Sequence, residues 1–272
     1  MVAGSTPARP TSEISGPANL RPSPHCSHFC TKRFPDPAQS SAEVYTSASA
    51  YRKRSTEAGF TLVEIAIVLV IIGLLLGGIL KGQEMITQAR IKNVINDFNG
   101  ITAAINSYQD RYRALPGDDI NAASRWAASF AGNGNGQFDQ AGATEVYNNI
   151  PAAAPTATTP EVNKFWWHLR LSGFVPGQTG AVVAAVIPPA NNTGGILGVQ
   201  TSGMGFTSNI ICSSNLPDKI AIAVDTQMDD ATSTTGQIRG LLQTSGPNPA
   251  VATPTSGYAE TGVNLYLLCK NM

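Results

Sequence analysis

Hydrophobic and polar positions follow two different rhythms in the first half of this 272-residue chain. From Phe60 to Leu80 there is no alternation. The 21 residues FTLVEIAIVLVIIGLLLGGIL hold one charge, Glu64, and no proline. As a helix rising 1.5 Å per residue the run is about 31 Å long, the thickness of a bilayer's hydrocarbon layer, and it satisfies its own backbone groups in lipid. From Lys81 onward a rhythm sets in. Val94, Phe98, Ile101, Ile105, Tyr108, Tyr112 and Leu115 follow one another in steps of three and four. Arg90, Lys92, Asn96, Asp97, Asn106, Asp110, Arg111 and Arg113 lie off that stripe. The pattern predicts one helix from Phe60 to Leu115, about 84 Å long, whose second half buries a single face. A soluble coiled coil has the same spacing, but direct fusion to an apolar span makes the protein's own head the expected partner. No proline interrupts the helix; Gly73, Gly77, Gly78 and Gly82 are its flexible points.

Pro116-Gly117 breaks the helix. Asp118 to Phe130 reads as a short helix with acidic first residues. Residues 132–136 (GNGNG) read as a turn and residues 141–159 as loop. Glu161 to Ser172 is an amphipathic helix with Val162, Phe165, Trp166 and Leu169 on its apolar face, ended by Gly173. Beyond Gly180 five short apolar runs are strand candidates: Ala181–Ile187, Gly195–Val199, Gly205–Cys212, Gln237–Leu242 and Val263–Cys269. Pro217–Met228 reads as strand or helix; Pro217 at a first turn and Ile220, Val224 and Met228 at a period of four favour helix.

Glu64 is the anomaly of the apolar run. A carboxylate costs roughly 2.5–3.5 kcal/mol at bilayer depth, less near a helix end, so something must offset it. Gly59, then Phe60-Thr61-Leu62-Val63-Glu64, then an unbroken apolar helix, resembles the N-terminus of type IV pilins and of type II secretion pseudopilins. The resemblance implies cleavage between Gly59 and Phe60 by a prepilin peptidase, N-methylation of Phe60, and an assembly role for Glu64. It implies an α+β, pilin-like fold: a long N-terminal hydrophobic helix packed on an antiparallel β-sheet head with additional short helices. It also implies a structural subunit rather than an enzyme, with identical or related subunits and an inner-membrane assembly machinery as partners. Charge physics agrees with it. An amine on Phe60 and the Glu64 carboxylate of a neighbouring subunit offset each other's burial. A second stretch, LPGDD through GNGNG to WWHLRLSGFV, resembles a pilin-like subgroup with a W-x-H-L-x-x-x-G pattern, which implies no residue roles. Major pilins of the family often carry a mid-helix proline; its absence here departs from the major-pilin pattern, and major pilin, minor pilin and pseudopilin stay open.

The expected organisation is therefore a leader, 1–59; a transmembrane and polymerisation helix, 60–80; its amphipathic continuation, 81–115; and a periplasmic or extracellular head, 116–272. Arg52, Lys53 and Arg54 beside the span place the leader in the cytoplasm by the positive-inside rule. Residues 1–43, rich in Pro and Ser and without periodicity, read as disordered, and the true start is expected downstream of Met1. His25, Cys26, His28 and Cys30 match no zinc spacing.

Composition narrows the function classes. The residues after Gly59 carry 11 basic and 14 acidic side chains, a net of −3, with no basic patch for nucleic acid. Cys212 and Cys269, the two cysteines after residue 59, are expected to pair in an exported head, and they resemble the family's C-terminal disulfide around a variable loop. Asn133, Asn135 and Asp139 are weak calcium candidates: the EF-hand order fails, and a plain turn is preferred. Asp225, Asp229 and Asp230 cluster after the candidate helix, where a capped loop is preferred to a calcium site. His168, the one histidine after residue 59, reads as a half-buried packing residue beside Trp167. No triad, zinc site, phosphate loop or Gly-x-Ser-x-Gly occurs, so neither catalytic residues nor a cofactor is expected. A different class remains open: a monomeric membrane-anchored binding or adhesion protein that never polymerises.

Overall fold

A computed structural model describes residues 59–139 and 144–272. Helix α1 (Leu62–Tyr112) runs unbroken for 51 residues, about 77 Å. Its second half carries the expected stripe: Val94, Phe98, Ile101, Ile105 and Tyr108 are buried, joined by Ile91 and Ala104. The helix stops at Tyr112, three residues short of the expected Leu115. Arg113 takes a left-handed conformation with φ 55° while its N–H still donates to the Gln109 carbonyl. Leu115 stands before Pro116, whose ring disfavours a helical conformation there.

The head then places α2 (Ala122–Arg125), α3 (Glu161–Leu171), α4 (Val183–Val186), β1 (Leu197–Gly203), β2 (Phe206–Pro217), α5 (Asp218–Met228), β3 (Ile238–Leu242) and β4 (Leu265–Asn271) in that order. The four strands form one antiparallel sheet in the order β1-β2-β4-β3. One sheet face, with Leu197, Val199, Ile211, Ile238, Tyr266 and Leu268, shares a core with the stripe of α1, with Val162, Phe165, Trp166 and Leu169 of α3, and with Ile220, Ala221 and Val224 of α5. The layout is the α+β, pilin-like one that the resemblance implies, and the partner of the α1 stripe is the chain's own head. Pro217–Met228 resolves as the helix α5, directly continuous with β2.

Two expected elements differ. Ala181–Ile187 is not a strand; it contains the four-residue helix α4. Its carbonyls find side-chain partners instead of a sheet. Arg170 donates to Ala185 O at 2.6 Å and Ile187 O at 2.9 Å, and Asn163 donates to Val186 O at 3.1 Å. Those partners, with Ala185 and Val186 packed on Trp167, override the β-propensity of the valines. The helix expected over Asp118–Phe130 shrinks to α2 because Asp118 and Asp119 turn inward and bind other backbone and side-chain groups.

The opposite sheet face is smaller: Ile210, Cys212, Leu267 and Cys269 lie under Tyr147 and Met204. Cys212 and Cys269 are register partners on the central strands β2 and β4 and are joined by a disulfide spanning 57 residues of chain. The bond is fully buried, so it staples the sheet centre rather than a surface loop. In the chain-entropy model a loop of that length is worth roughly 4 kcal/mol. Replacing both cysteines by serine should lower head stability by about that amount, read as a drop in denaturation midpoint. An unchanged midpoint, or free alkylation of both thiols in exported protein, would contradict the pairing.

Candidate functional site

Gly59, Phe60 and Thr61 precede the helix, and Thr61 is its N-cap with ψ 148°. The Thr61 hydroxyl accepts from the Glu64 backbone N–H at 3.3 Å. One Glu64 carboxylate oxygen, Oε2, accepts from the Thr61 backbone N–H at 2.8 Å and from its hydroxyl at 2.7 Å. This is a capping box, which satisfies helix-start donors that have no carbonyl partner. The signature Thr61-x-x-Glu64 is plain in the sequence, yet the resemblance directs attention to the charge of Glu64 and away from the cap. Gly59 and Phe60 therefore stand outside the helix, and Phe60 is 82% exposed. Every apolar side chain from Phe60 to Leu80 is exposed, as are Met85 and Ile86. Among the described residues α1 is the helix long and apolar enough to cross a membrane.

The head holds a second constellation, built around α3. All ten residues from Glu161 to Arg170 are buried, including Glu161, Asn163, Lys164, His168 and Arg170. Such a helix needs polar partners on every side. His168 is fully buried, not half-buried as expected. Its Nδ1 accepts from the Gly117 backbone N–H at 2.9 Å, so its Nε2 carries the proton and donates to the Phe130 carbonyl at 3.1 Å. The bond from Gly117 needs the neutral ring, because Nδ1 accepts only when unprotonated, and burial pushes the His168 pKa from 6.5 down to about 3. Gly117 sits at φ +90°, and a side chain there would meet the Phe165 backbone N at 3.0 Å, so no other residue lets the chain pass this close to α3.

The two carboxylates of the LPGDD stretch act in the same assembly. Asp119 accepts from the Tyr108 hydroxyl at 2.7 Å and pairs with Arg125, which lies over the Tyr112 ring. Asp118 accepts the backbone N–H groups of Gly134 and Gly136 at 2.5 and 2.6 Å. Glu161 holds both ends of that loop, through Asn133 N at 2.8 Å and Asp139 N at 3.1 Å. Burial, with Asp118 and Glu145 nearby, raises the Glu161 pKa from 4.5 to about 7. Lys164 donates to the carbonyls of Ala131 and Ala157 at 2.8 and 3.1 Å. Asp119 is held by the side chains of Tyr108 and Arg125, whereas Asp118, Glu161, Lys164 and His168 each bind backbone groups of neighbouring loops.

The weak calcium candidates are wired to one another. Asn133 and Asn135 both donate to one Asp139 oxygen, at 2.9 and 2.6 Å. Asp225, Asp229 and Asp230 bring carboxylate oxygens within 4.8 Å of one another. Each already accepts hydrogen bonds: Asp225 from Tyr258 and Ala231, Asp229 from Ile238, Asp230 from Thr232 and Thr235. The residues of the HCSHFC stretch and of the basic flank lie outside the described residues.

Residues 54–80 match the prokaryotic N-terminal methylation motif, the signature of type IV pilins and pseudopilins. The match covers Gly59, Phe60 and Glu64 and stops where the apolar run stops. No curated protein and no solved structure matches the chain.

The two buried titrating groups of α3 oppose each other. Unfolded His168 takes up its proton near pH 6.5, folded His168 only near 3, so its contribution to stability is full above 6.5 and declines as pH falls toward 3. Folded Glu161 keeps its proton up to about 7 and unfolded Glu161 loses it near 4.5, so its contribution is full below 4.5 and is lost as pH rises through 7. Between pH 5 and 6 the slopes cancel in part. Relative to the parent, His168→Gln should make the slope of unfolding free energy against pH more negative there, and Glu161→Gln should make it more positive, each by about one proton or 1.4 kcal/mol per pH unit. Urea titrations across that range measure both slopes; shifts in the same direction would contradict the assignment.

Proposed function

We propose that the chain is a pilin-like structural subunit, cut between Gly59 and Phe60 by a prepilin peptidase, methylated on Phe60, and assembled through its N-terminal helix into a type IV pilus or pseudopilus filament. The observation that carries the reading is the juncture of three features: the methylation motif at 54–80, a bare apolar helix directly behind it, and a head that covers the helix only from Ile91 onward. In this reading Arg52, Lys53 and Arg54 hold the leader in the cytoplasm and the head lies in the periplasm until assembly. The apolar half first spans the inner membrane and then packs against the same half of other subunits, a head-to-tail contact that does not close. The partners are the peptidase, identical or related subunits, and the assembly machinery.

Glu64 has two duties here, and one pair of variants separates them. Its capping bonds need an acceptor, which glutamine also supplies, whereas pairing with the Phe60 amine of a neighbour needs the charge. Because the head makes its first buried contact at Ile91, neither change should affect head stability. Glu64→Gln should leave a processed, stable, membrane-resident subunit with few or no sheared filaments, and Glu64→Ala the same. Normal filament yield from Glu64→Gln with loss in Glu64→Ala would assign Glu64 to the cap alone. Normal yield from both would show that Glu64 does not control assembly, and a processed parent protein absent from sheared filaments would favour the anchored monomer.

A further inference from the structure

The sequence contains three Asn-Gly pairs, Asn99-Gly100, Asn133-Gly134 and Asn135-Gly136. In such a pair the glycine nitrogen is unshielded and attacks the asparagine Cγ. Ammonia leaves as a five-membered succinimide closes, and water reopens the ring to aspartate or isoaspartate. Gly100 lies within α1, whose hydrogen-bond ladder occupies its N–H. The other two pairs lie in an exposed loop without regular structure, where nothing of that kind protects them.

We propose that Asn133 and Asn135 are spontaneous deamidation sites and that Asp118 is the residue that holds both closed. The two attacking nitrogens are the ones it binds: Gly134 N to Oδ1 at 2.5 Å and Gly136 N to Oδ2 at 2.6 Å. Asp118 itself is 3% exposed, so water does not readily replace it. The amides under attack are tied as well. Their nitrogens donate to Asp139, and their oxygens accept from Asn135 N at 3.0 Å and Gln137 N at 2.8 Å. Reaction requires a glycine nitrogen to leave a buried carboxylate and an amide to leave Asp139. Once it occurs, a donor to Asp139 has become a second carboxylate, so the loop does not re-dock on Asp139 in its original form. The inference does not depend on filament assembly.

The test incubates the full protein in detergent at mildly alkaline pH, folded and in urea, and follows the tryptic peptide from Trp126 to Lys164 by mass. Folded protein should deamidate more slowly by about tenfold or more, the population cost of releasing one charge-assisted hydrogen bond. Asp118→Asn removes the charged acceptor and leaves the ties to Asp139, so it should raise the folded rate severalfold toward the unfolded one, while Asn99 keeps its helix protection. Equal rates in folded and unfolded parent overturn the proposal, as does a folded Asp118→Asn protein with the parent's rate. Should that variant not fold, amide hydrogen exchange of the parent decides: Gly134 and Gly136 are expected to be protected despite their exposure, and free exchange at both overturns it.

Discussion

One unbroken helix has to satisfy two surroundings, and the rest of the molecule follows from that constraint. Between Phe60 and Ile86 the chain exposes seventeen large apolar side chains. At about 1.5–3 kcal/mol for each one buried, tens of kcal/mol are left out of the fold of the single chain; in the proposed reading lipid or other subunits supply that burial. From Ile91 the same helix turns one stripe into the head core and becomes ordinary protein interior. The change of surroundings falls where the sequence passes from Ile, Leu and Val in continuous run to Lys81, Glu84, Arg90 and Lys92 between apolar positions. The methylation motif runs through the exposed half to Leu80, and the capping box closes the N-terminal end of the helix without help from the head.

The head solves a different problem. A four-stranded sheet supplies backbone partners for only part of the chain after Pro116, and long segments are irregular. Helix α3 supplies partners for several of them. His168 bridges Gly117 and Phe130, Glu161 takes Asn133 and Asp139, Lys164 takes Ala131 and Ala157, and Arg170 takes the end of α4. The carboxylates Asp118 and Asp119 complete the arrangement from the loop side. Polar groups that resemble catalytic equipment thus serve as internal capping groups for backbone that no strand or helix satisfies.

Elements whose signal is local were legible in the sequence. The stripe of α1, the apolar face of α3, the period-four residues of α5 and four of the five strand candidates all depend on spacing within a few residues, and each lies within a few residues of its expected place. What was not legible depends on contacts far along the chain. The valines of α4 carry strand propensity, which Asn163, Arg170 and packing on Trp167 override. Asp118 and Asp119 look like the acidic start of a helix until the loop fifteen or so residues on is folded over them. His168 beside two tryptophans reads as packing, and its two backbone partners lie 38 and 51 residues away. At the N-terminus the resemblance points to residues that the methylation motif covers, but the cap formed by Thr61 and Glu64 follows from elementary helix chemistry and needed no family knowledge.

The central proposal is that the mature protein begins at Phe60, two residues ahead of the first residue of α1. The measurement that tests it most directly is the mass of the N-terminal peptide from membrane-extracted protein made in cells with an active prepilin peptidase. The predicted result is a peptide beginning at Phe60 and heavier by one methyl group than its sequence requires. A peptide that begins upstream of Phe60, with Gly59 still attached, would contradict it.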